Sequence, residues 1–407
     1  MKILIYAHFY YPEVGAASLR MQYFVNALKN DNNEIKIIAP LPNYPLGYIY
    51  KGFSKFFQKD EKRGIIYLPI YLPKKHSLIK RGLSYFSFFC SSFFYTLFSS
   101  YKADIIISSS PPISTSFAAA LISKLKGIRF IIDLRDIWPD IGIELGLLKR
   151  KSVINILTKI EKFILRTASV ILVTAEGDKA NIVKKGIDEE KIKVIYNGAD
   201  SSVFKPVNES DKLSIREKYR IPINKIVLIY FGSFNYGMND IDLLGNVLSK
   251  LDHDKENIFF VAIGNGDNLN DFLMKIKGKI NFLHLDSMSI EEIAKLVAAS
   301  DLSLIPRKKI LIDTGGNTPV KIFESWAAGV PVLLSADLES ETAKIFKKCE
   351  AGVLVEPGNE EEYLQTLEKL IVDPVLSALG KKGRPFVIEN FDRMKQAEKL
   401  TSIIKEI

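Results

Sequence analysis

The chain has 407 residues, 47% of them apolar, with a formal charge of +9 and two cysteines. That length exceeds one ordinary hydrophobic core and implies two domains, while the apolar content excludes a disordered chain. Cys90 and Cys349 stand far apart without metal-ligand spacing, which excludes a zinc module or disulfide framework and fits a reducing compartment.

The opening M-K-I-L-I-Y-A-H-F-Y-Y-P has too short an apolar run for a signal peptide and lacks a small-residue cleavage site, so it reads as a first strand. Short β-rich runs follow it; the set spans 3–7, 35–39, 65–69, 104–108, 130–133, 170–174 and 192–197. Helical patterns lie between them at about 16–29, 79–99, 114–126, 151–166 and 177–185. Most of the runs are apolar on both faces, as parallel strands covered by helices must be. Residues 201–222 are polar and charged with two prolines, and read as a connection. Alternation then resumes, with strands at 226–231, 258–263, 280–283, 302–306, 330–334 and 352–355. Helices fit 240–250, 269–277, 289–299, 320–328, 342–348 and 360–373, and the tail 391–407 has helical spacing. The fold class is therefore α/β: two doubly wound, Rossmann-like domains, 1–200 and 201–385, with a C-terminal helix 386–407 packing back on the first. Such a pair is expected to face a central cleft at the carboxyl ends of two parallel sheets.

Charge is concentrated. Residues 51–102 hold ten Lys or Arg against Asp60 and Glu61, a local +8 that accounts for nearly the whole excess. A local patch points to an anionic surface rather than to nucleic acid. The apolar run 83–98 is short of the roughly 20 residues that span a bilayer. It reads as a domain helix, with membrane contact assigned to the basic flank Lys74, Lys75, Lys80 and Arg81.

Several strand ends carry candidate chemistry. After the first strand, Gly15 opens a helix and lets backbone N–H groups approach an anion, while His8 and Glu13 read as loop residues and Arg20 as reaching cleft or solvent. I-D-L-R-D-I-W-P-D at 132–140 puts Arg135 and Asp136 just outside the sheet, where a carboxylate polarised by a guanidinium suits a reacting hydroxyl. Gly264-Asn265-Gly266 lacks the third glycine of a dinucleotide fingerprint, which disfavours a nicotinamide enzyme. No serine-hydrolase, zincin or P-loop motif is present.

The stretch 313–331, D-T-G-G-N-T-P-V-K-I-F-E-S-W-A-A-G-V-P, reads as a glycine loop, then a helix capped by Thr318 with Pro319 as its first residue, stopped by Gly329 and Pro331. Lys321 in the first helical turn opposes the positive end of the helix dipole, and a bound anion would remove that penalty. Glu324 follows one turn later.

Together these motifs resemble the GT-B glycosyltransferases of the family-4 retaining group, above all those that add sugars in bacterial O-antigen or capsule assembly, such as the WbuB-type transferases. The likeness spans nearly the full length. It rests on F-Y-Y-P-E-V-G-A-A-S-L-R at 9–20, P-N-Y-P-L-G at 42–47, S-S-P-P at 109–112, D-L-R-D-I-W-P-D at 133–140, I-Y-N-G-A-D at 195–200 and P-V-K-I-F-E-S-W-A-A-G-V-P-V at 319–332. The resemblance implies a cytoplasmic enzyme held at the inner face of the plasma membrane. It would move a sugar, such as an N-acetylated amino or deoxyamino sugar, from a UDP-sugar to a polyprenyl-diphosphate-linked saccharide with retention. No metal or other cofactor is expected.

It also implies donor contacts. Glu324 matches the second glutamate of the family's paired signature and takes the ribose hydroxyls. Lys321 and the N–H groups after Thr318 meet the diphosphate, and Gly15 faces it from the N-terminal domain. Gly264 and Met288 flank the base, and Asp136 lies near the acceptor. The first glutamate of the pair is replaced by Gly316, so the backbone of Gly315 and Gly316 would substitute for it. The basic residues usual after the first donor-domain strand are replaced by Gly232 and Ser233, which shifts the diphosphate onto Lys321, with Arg307 or Lys308 as weaker candidates. Two rival readings are a UDP-sugar 2-epimerase of the same fold and a non-catalytic binding protein.

Overall fold

The computed structural model describes residues 1–44, 47–53, 56–73, 78–235, 237–251, 257–309, 318–373 and 376–407. They form two compact units: Met1–Tyr196 with Met394–Ile407, and Asn197–Arg393.

The first unit runs β1 (Lys2–Tyr6), α1 (Ala16–Asn30), β2 (Glu34–Pro40), β3 (Gln58–Asp60), β4 (Ile65–Leu68), α2 (Leu78–Phe98), β5 (Ile105–Ser110), α3 (Ile113–Lys126), β6 (Arg129–Leu134), α4 (Asp140–Glu144), α5 (Lys151–Thr167), β7 (Val170–Val173), α6 (Glu176–Lys184) and β8 (Ile192–Val194). The sheet order is β3-β4-β2-β1-β5-β6-β7-β8, parallel except for the short edge strand β3. Alternation in β1 explains the two cores. Ile3 and Ile5 pack with Met21, Phe24 and Leu28 of α1 and with Leu400 and Ile404, whereas Leu4 and Tyr6 pack with Phe88, Ala119, Ile122 and Ile164. Each such aliphatic or aromatic side chain contributes about 1.5–3 kcal/mol by leaving water.

The second unit runs α7 (Glu209–Lys218), β9 (Ile226–Phe231), α8 (Ile241–Lys250), β10 (Ile258–Ile263), α9 (Leu269–Ile276), β11 (Phe282–Leu285), α10 (Ile290–Ala298), β12 (Leu302–Ile305), α11 (Val320–Ala327), β13 (Val332–Ser335), α12 (Glu341–Cys349), β14 (Gly352–Val355), α13 (Glu360–Val372) and α14 (Leu376–Asn390). Its parallel sheet is ordered β11-β10-β9-β12-β13-β14. Leu228 and Tyr230 of β9 pack with Leu244 and Leu248 of α8, Phe272 of α9 and Leu367 of α13. On α11 every residue from Ile322 to Ala327 is buried, and the Trp326 indole donates to the Ala351 carbonyl at 2.8 Å. The last helix, α15 (Arg393–Glu406), returns its apolar residues to the first unit.

Four expectations need correction. Residues 209–218 of the presumed connection form α7, capped by Asn208; Arg216 holds it by donating to Ala299 O at 2.9 Å and Asp301 at 2.7 Å. The returning segment begins at Met394 rather than 386, since α14 belongs to the second unit, where Phe386 packs 6.0 Å from Trp326. The helix expected at 320–328 ends at Ala327 and is capped differently: Pro319 is its N-cap, and Thr318 Oγ1 bonds Thr342 Oγ1 at 3.1 Å instead of a helix N–H. Helix α2 buries Ser84, Phe88, Ser92 and Thr96 on one face but exposes Ile79, Leu83, Phe86 and Phe94 on the other, so it is not simply a covered domain helix. No helix among the described residues is long and apolar enough to cross a membrane.

Candidate active site

In open parallel sheets, ligands bind beyond the carboxyl ends of the strands where the order reverses. That point lies between β9 and β12 in the second unit and between β1 and β5 in the first.

In the second unit, β9 is followed by Gly232 and β10 by Gly264, with φ of 131° and 129°. Both positions require glycine. A Cβ on Gly264 would stand 2.0 Å from the Gly232 carbonyl oxygen, and one on Gly232 would stand 2.4 Å from Lys321 Cε. The Lys321 side chain therefore lies directly over the Gly232 backbone. Its ammonium donates to the Tyr230 hydroxyl at 3.2 Å and sits 4.2 Å from that ring's centre. Among the described residues its hydrogen-bond partner is this neutral phenol and not a carboxylate. Burial pushes Lys321 down to about 7; Arg307 pushes the same way and Glu324 opposes.

Glu324, one turn further along α11, is 9% exposed. Its Oε1 accepts from Arg393 Nη2 at 3.2 Å. Burial raises its carboxyl, against the pull of Arg393 and Lys321. Arg307 is buried and its backbone N–H donates to Ser335 Oγ at 2.7 Å, while the Lys308 backbone N–H donates to Met238 O at 2.9 Å.

In the first unit, Gly15 caps α1 with open space where a Cβ would stand. His8 is buried among Phe9, Tyr85 and Phe88, with Nδ1 3.4 Å from Thr115 Oγ1. Burial, then Arg81 and Arg135, pushes its pKa down to about 3, so it is a neutral imidazole at physiological pH. Glu13 is buried; its Oε1 accepts from the backbone N–H groups of Asn43 at 2.7 Å and Tyr44 at 2.9 Å. Its Oε2 has no partner among the described residues, and burial pushes the carboxyl up to about 7. Arg20 is not directed to solvent: it chelates Asp133 at 2.9 and 3.0 Å. Arg135 donates to Ser109 Oγ at 3.2 Å and Pro111 O at 3.0 Å, which leaves the neighbouring half-buried Asp136 with its carboxyl raised by burial and lowered by Arg135.

A family model described as Glycosyltransferase Family 4 matches residues 17–203, and one described as Glycosyl transferases group 1 matches 211–401. The chain is a GT-B glycosyltransferase.

Relatives of this glycosyltransferase match over almost their full length. WcaI of Escherichia coli K12, provisionally assigned as a colanic acid biosynthesis glycosyl transferase, is 24% identical over 97% of this chain and 98% of its own. The Escherichia coli UDP-Gal:alpha-D-GlcNAc-diphosphoundecaprenol alpha-1,3-galactosyltransferase is 22% identical over 96% and 93%. Among solved structures, WaaG, a glycosyltransferase involved in lipopolysaccharide biosynthesis, superposes with a TM-score of 0.71 at 15% identity, covering 99% of each chain. Anabaena HepE in complex with UDP and glucose gives 0.71 at 15%, covering 100% of each.

Of the residues expected at the donor site of the glycosyltransferase, Gly232, Gly264, Lys321 and Glu324 cluster at the β9/β12 switch. Thr318 is turned to Thr342. Ser233 is exposed, with its Oγ accepting from Asn235 N–H at 3.2 Å, and Met288 is half-exposed just before Ser289, the N-cap of α10. Gly315 and Gly316, like Lys74 and Lys75 of the basic flank, lie outside the described residues; Lys80 and Arg81 open α2, and Arg81 donates to the Tyr85 hydroxyl at 2.6 Å. Sequence reasoning treated His8 and Glu13 as ordinary loop residues; their place after β1, at the switch, was the available signal. It missed Tyr230 and Arg393 entirely.

Proposed function

We propose that this enzyme transfers a sugar from a UDP-sugar to a lipid-diphosphate-linked saccharide in bacterial surface polysaccharide assembly. The observation that carries the reading is Lys321. It is a half-buried ammonium with no carboxylate hydrogen-bonded to it among the described residues, in the first turn of α11 and against the Gly232 backbone, at the sheet's strand-order reversal. A diphosphate supplies the anion this arrangement lacks. Glu324, one turn away, accepts from the ribose hydroxyls. When the bond from the anomeric carbon to the β-phosphate oxygen breaks, negative charge grows on that oxygen, and Lys321 with the α11 N-terminus stabilises it. The acceptor hydroxyl then bonds the anomeric carbon on the same face and passes its proton to the departing β-phosphate oxygen, giving retention. Asp136, at the end of β6, orients that hydroxyl.

The first unit takes the acceptor, and its basic segment meets an anionic lipid surface on the cytoplasmic side. The exposed apolar face of α2, beside Lys80 and Arg81, supports this contact. UDP in HepE and the diphosphoundecaprenol substrate named for the Escherichia coli relative support the donor and acceptor classes. Radiolabelled transfer from a panel of UDP-sugars to a polyprenyl-diphosphate saccharide tests the reading. Donor turnover without any acceptor would instead indicate an epimerase.

A further inference from the structure

The chain enters the second unit at Asn197 and leaves it at Arg393. These two passages pair with each other: Ala199 N–H donates to Phe391 O at 3.0 Å, and Arg393 N–H donates to Ala199 O at 2.9 Å. Between them Gly198 adopts φ +61°, and a Cβ there would lie 2.0 Å from the Phe391 carbonyl oxygen. The paired segment is also fastened to α11. The Phe391 ring stacks on Phe323 at 4.5 Å, and Arg393 Nη2 donates both to Gly198 O at 2.9 Å and to Glu324 Oε1 at 3.2 Å. Arg393 is 5% exposed, so its charge is compensated inside the protein rather than by water.

We propose that Arg393 is a positioning residue for the donor ribose: it fixes the Glu324 carboxylate so that this group can accept from both ribose hydroxyls, and makes the paired chain passages part of the nucleotide site. The inference rests on the donor reading above. Its physical basis is the opposition already described. Burial favours the neutral carboxyl, which accepts poorly from two vicinal hydroxyls, and the guanidinium favours the anion. The charged groups acting on Glu324 are Arg393 and Lys321, while Arg307 acts on Lys321. A diphosphate contact through Lys321 contributes equally to ligands that differ only in the ribose. A ratio of affinities therefore isolates the Glu324–Arg393 pair.

The test compares UDP with 2′-deoxy-UDP by calorimetry at pH 6.5 and 8.5. In the native enzyme UDP binds roughly tenfold tighter, the expected loss for one hydrogen bond to a charged group, at both pH values. In Arg393→Gln, where burial acts on the carboxyl without the guanidinium, the ratio falls toward one, and no less at pH 6.5 than at pH 8.5; in Arg393→Lys, which keeps the charge, it stays well above one. A folded Arg393→Gln protein that keeps the native ratio at both pH values overturns the inference. If Arg393→Gln does not fold, Arg393→Lys and Glu324→Gln carry the test: the first must keep the discrimination and the second must lose it, and any other result overturns the inference. Failure of the native enzyme to bind UDP at all would overturn the donor reading instead.

Discussion

Two groups, buried Glu13 and half-buried Lys321, show how much of the site's chemistry is set by desolvation. Glu13 has a folded pKa of about 7 against an ordinary 4.5, so the native state holds its proton more tightly than the unfolded chain. The associated stability is complete below pH 4.5 and is lost as pH rises through about 7, a span worth at most about 3 kcal/mol. The thermal midpoint should therefore drop between pH 5 and pH 8, and Glu13→Gln, which keeps an acceptor for Asn43 and Tyr44, should remove that part of the drop. An unchanged drop in the variant would show that Glu13 is ionised without penalty. Lys321 could be suspected from the sequence because a cation opens a helix. Its partners could not: Tyr230 lies 91 positions away and Arg393 lies 69 positions from Glu324, and no local pattern announces such pairings.

At the level of elements, the alternation of strands and helices was legible because each buried strand must present apolar residues to cores on both faces, as β1 does with Ile3 and Leu4. Elements that bury little went unseen. Helix α7 is mostly polar with Arg216 as its buried residue and β3 is a three-residue edge strand, whereas α14 packs on α11 but is interrupted in the sequence pattern by Pro385. The Thr318 cap was a sound local inference that lost to a tertiary hydrogen bond with Thr342. Helix α2 was judged by its length and not by its two faces. Its outer residues Ile79, Leu83, Phe86 and Phe94 recur at spacings that keep them on one side, opposite Phe88. Replacing Leu83 and Phe86 with serine should weaken partitioning into anionic vesicles by roughly tenfold or more, since each apolar side chain contributes about 1.5–3 kcal/mol when buried. The salt sensitivity due to Lys80, Arg81 and their neighbours should persist. Equal partitioning of variant and native protein would mean that α2 does not enter the bilayer surface.

At the scale of the whole molecule, two doubly wound units each place their sequence-distant residues at a strand-order reversal, and this is why scattered motifs such as Gly232, Gly264 and Lys321 meet at one point of the second sheet. The GT-B fold does not by itself choose the ligand; the proposed choice of a diphosphate rests on Lys321. A diphosphate bound beside it must raise its pKa from about 7 back toward the ordinary value, so binding takes up a proton above neutral pH. Calorimetry of UDP binding at pH 8, repeated in buffers of different ionisation enthalpy, reads this uptake directly. The native enzyme should take up close to one proton and lose affinity as pH rises above about 7, while Lys321→Met should bind UDP at least roughly tenfold more weakly and without that uptake. Unchanged UDP affinity in Lys321→Met, or binding by the native enzyme with no proton uptake at pH 8, would contradict the assignment of the diphosphate to Lys321.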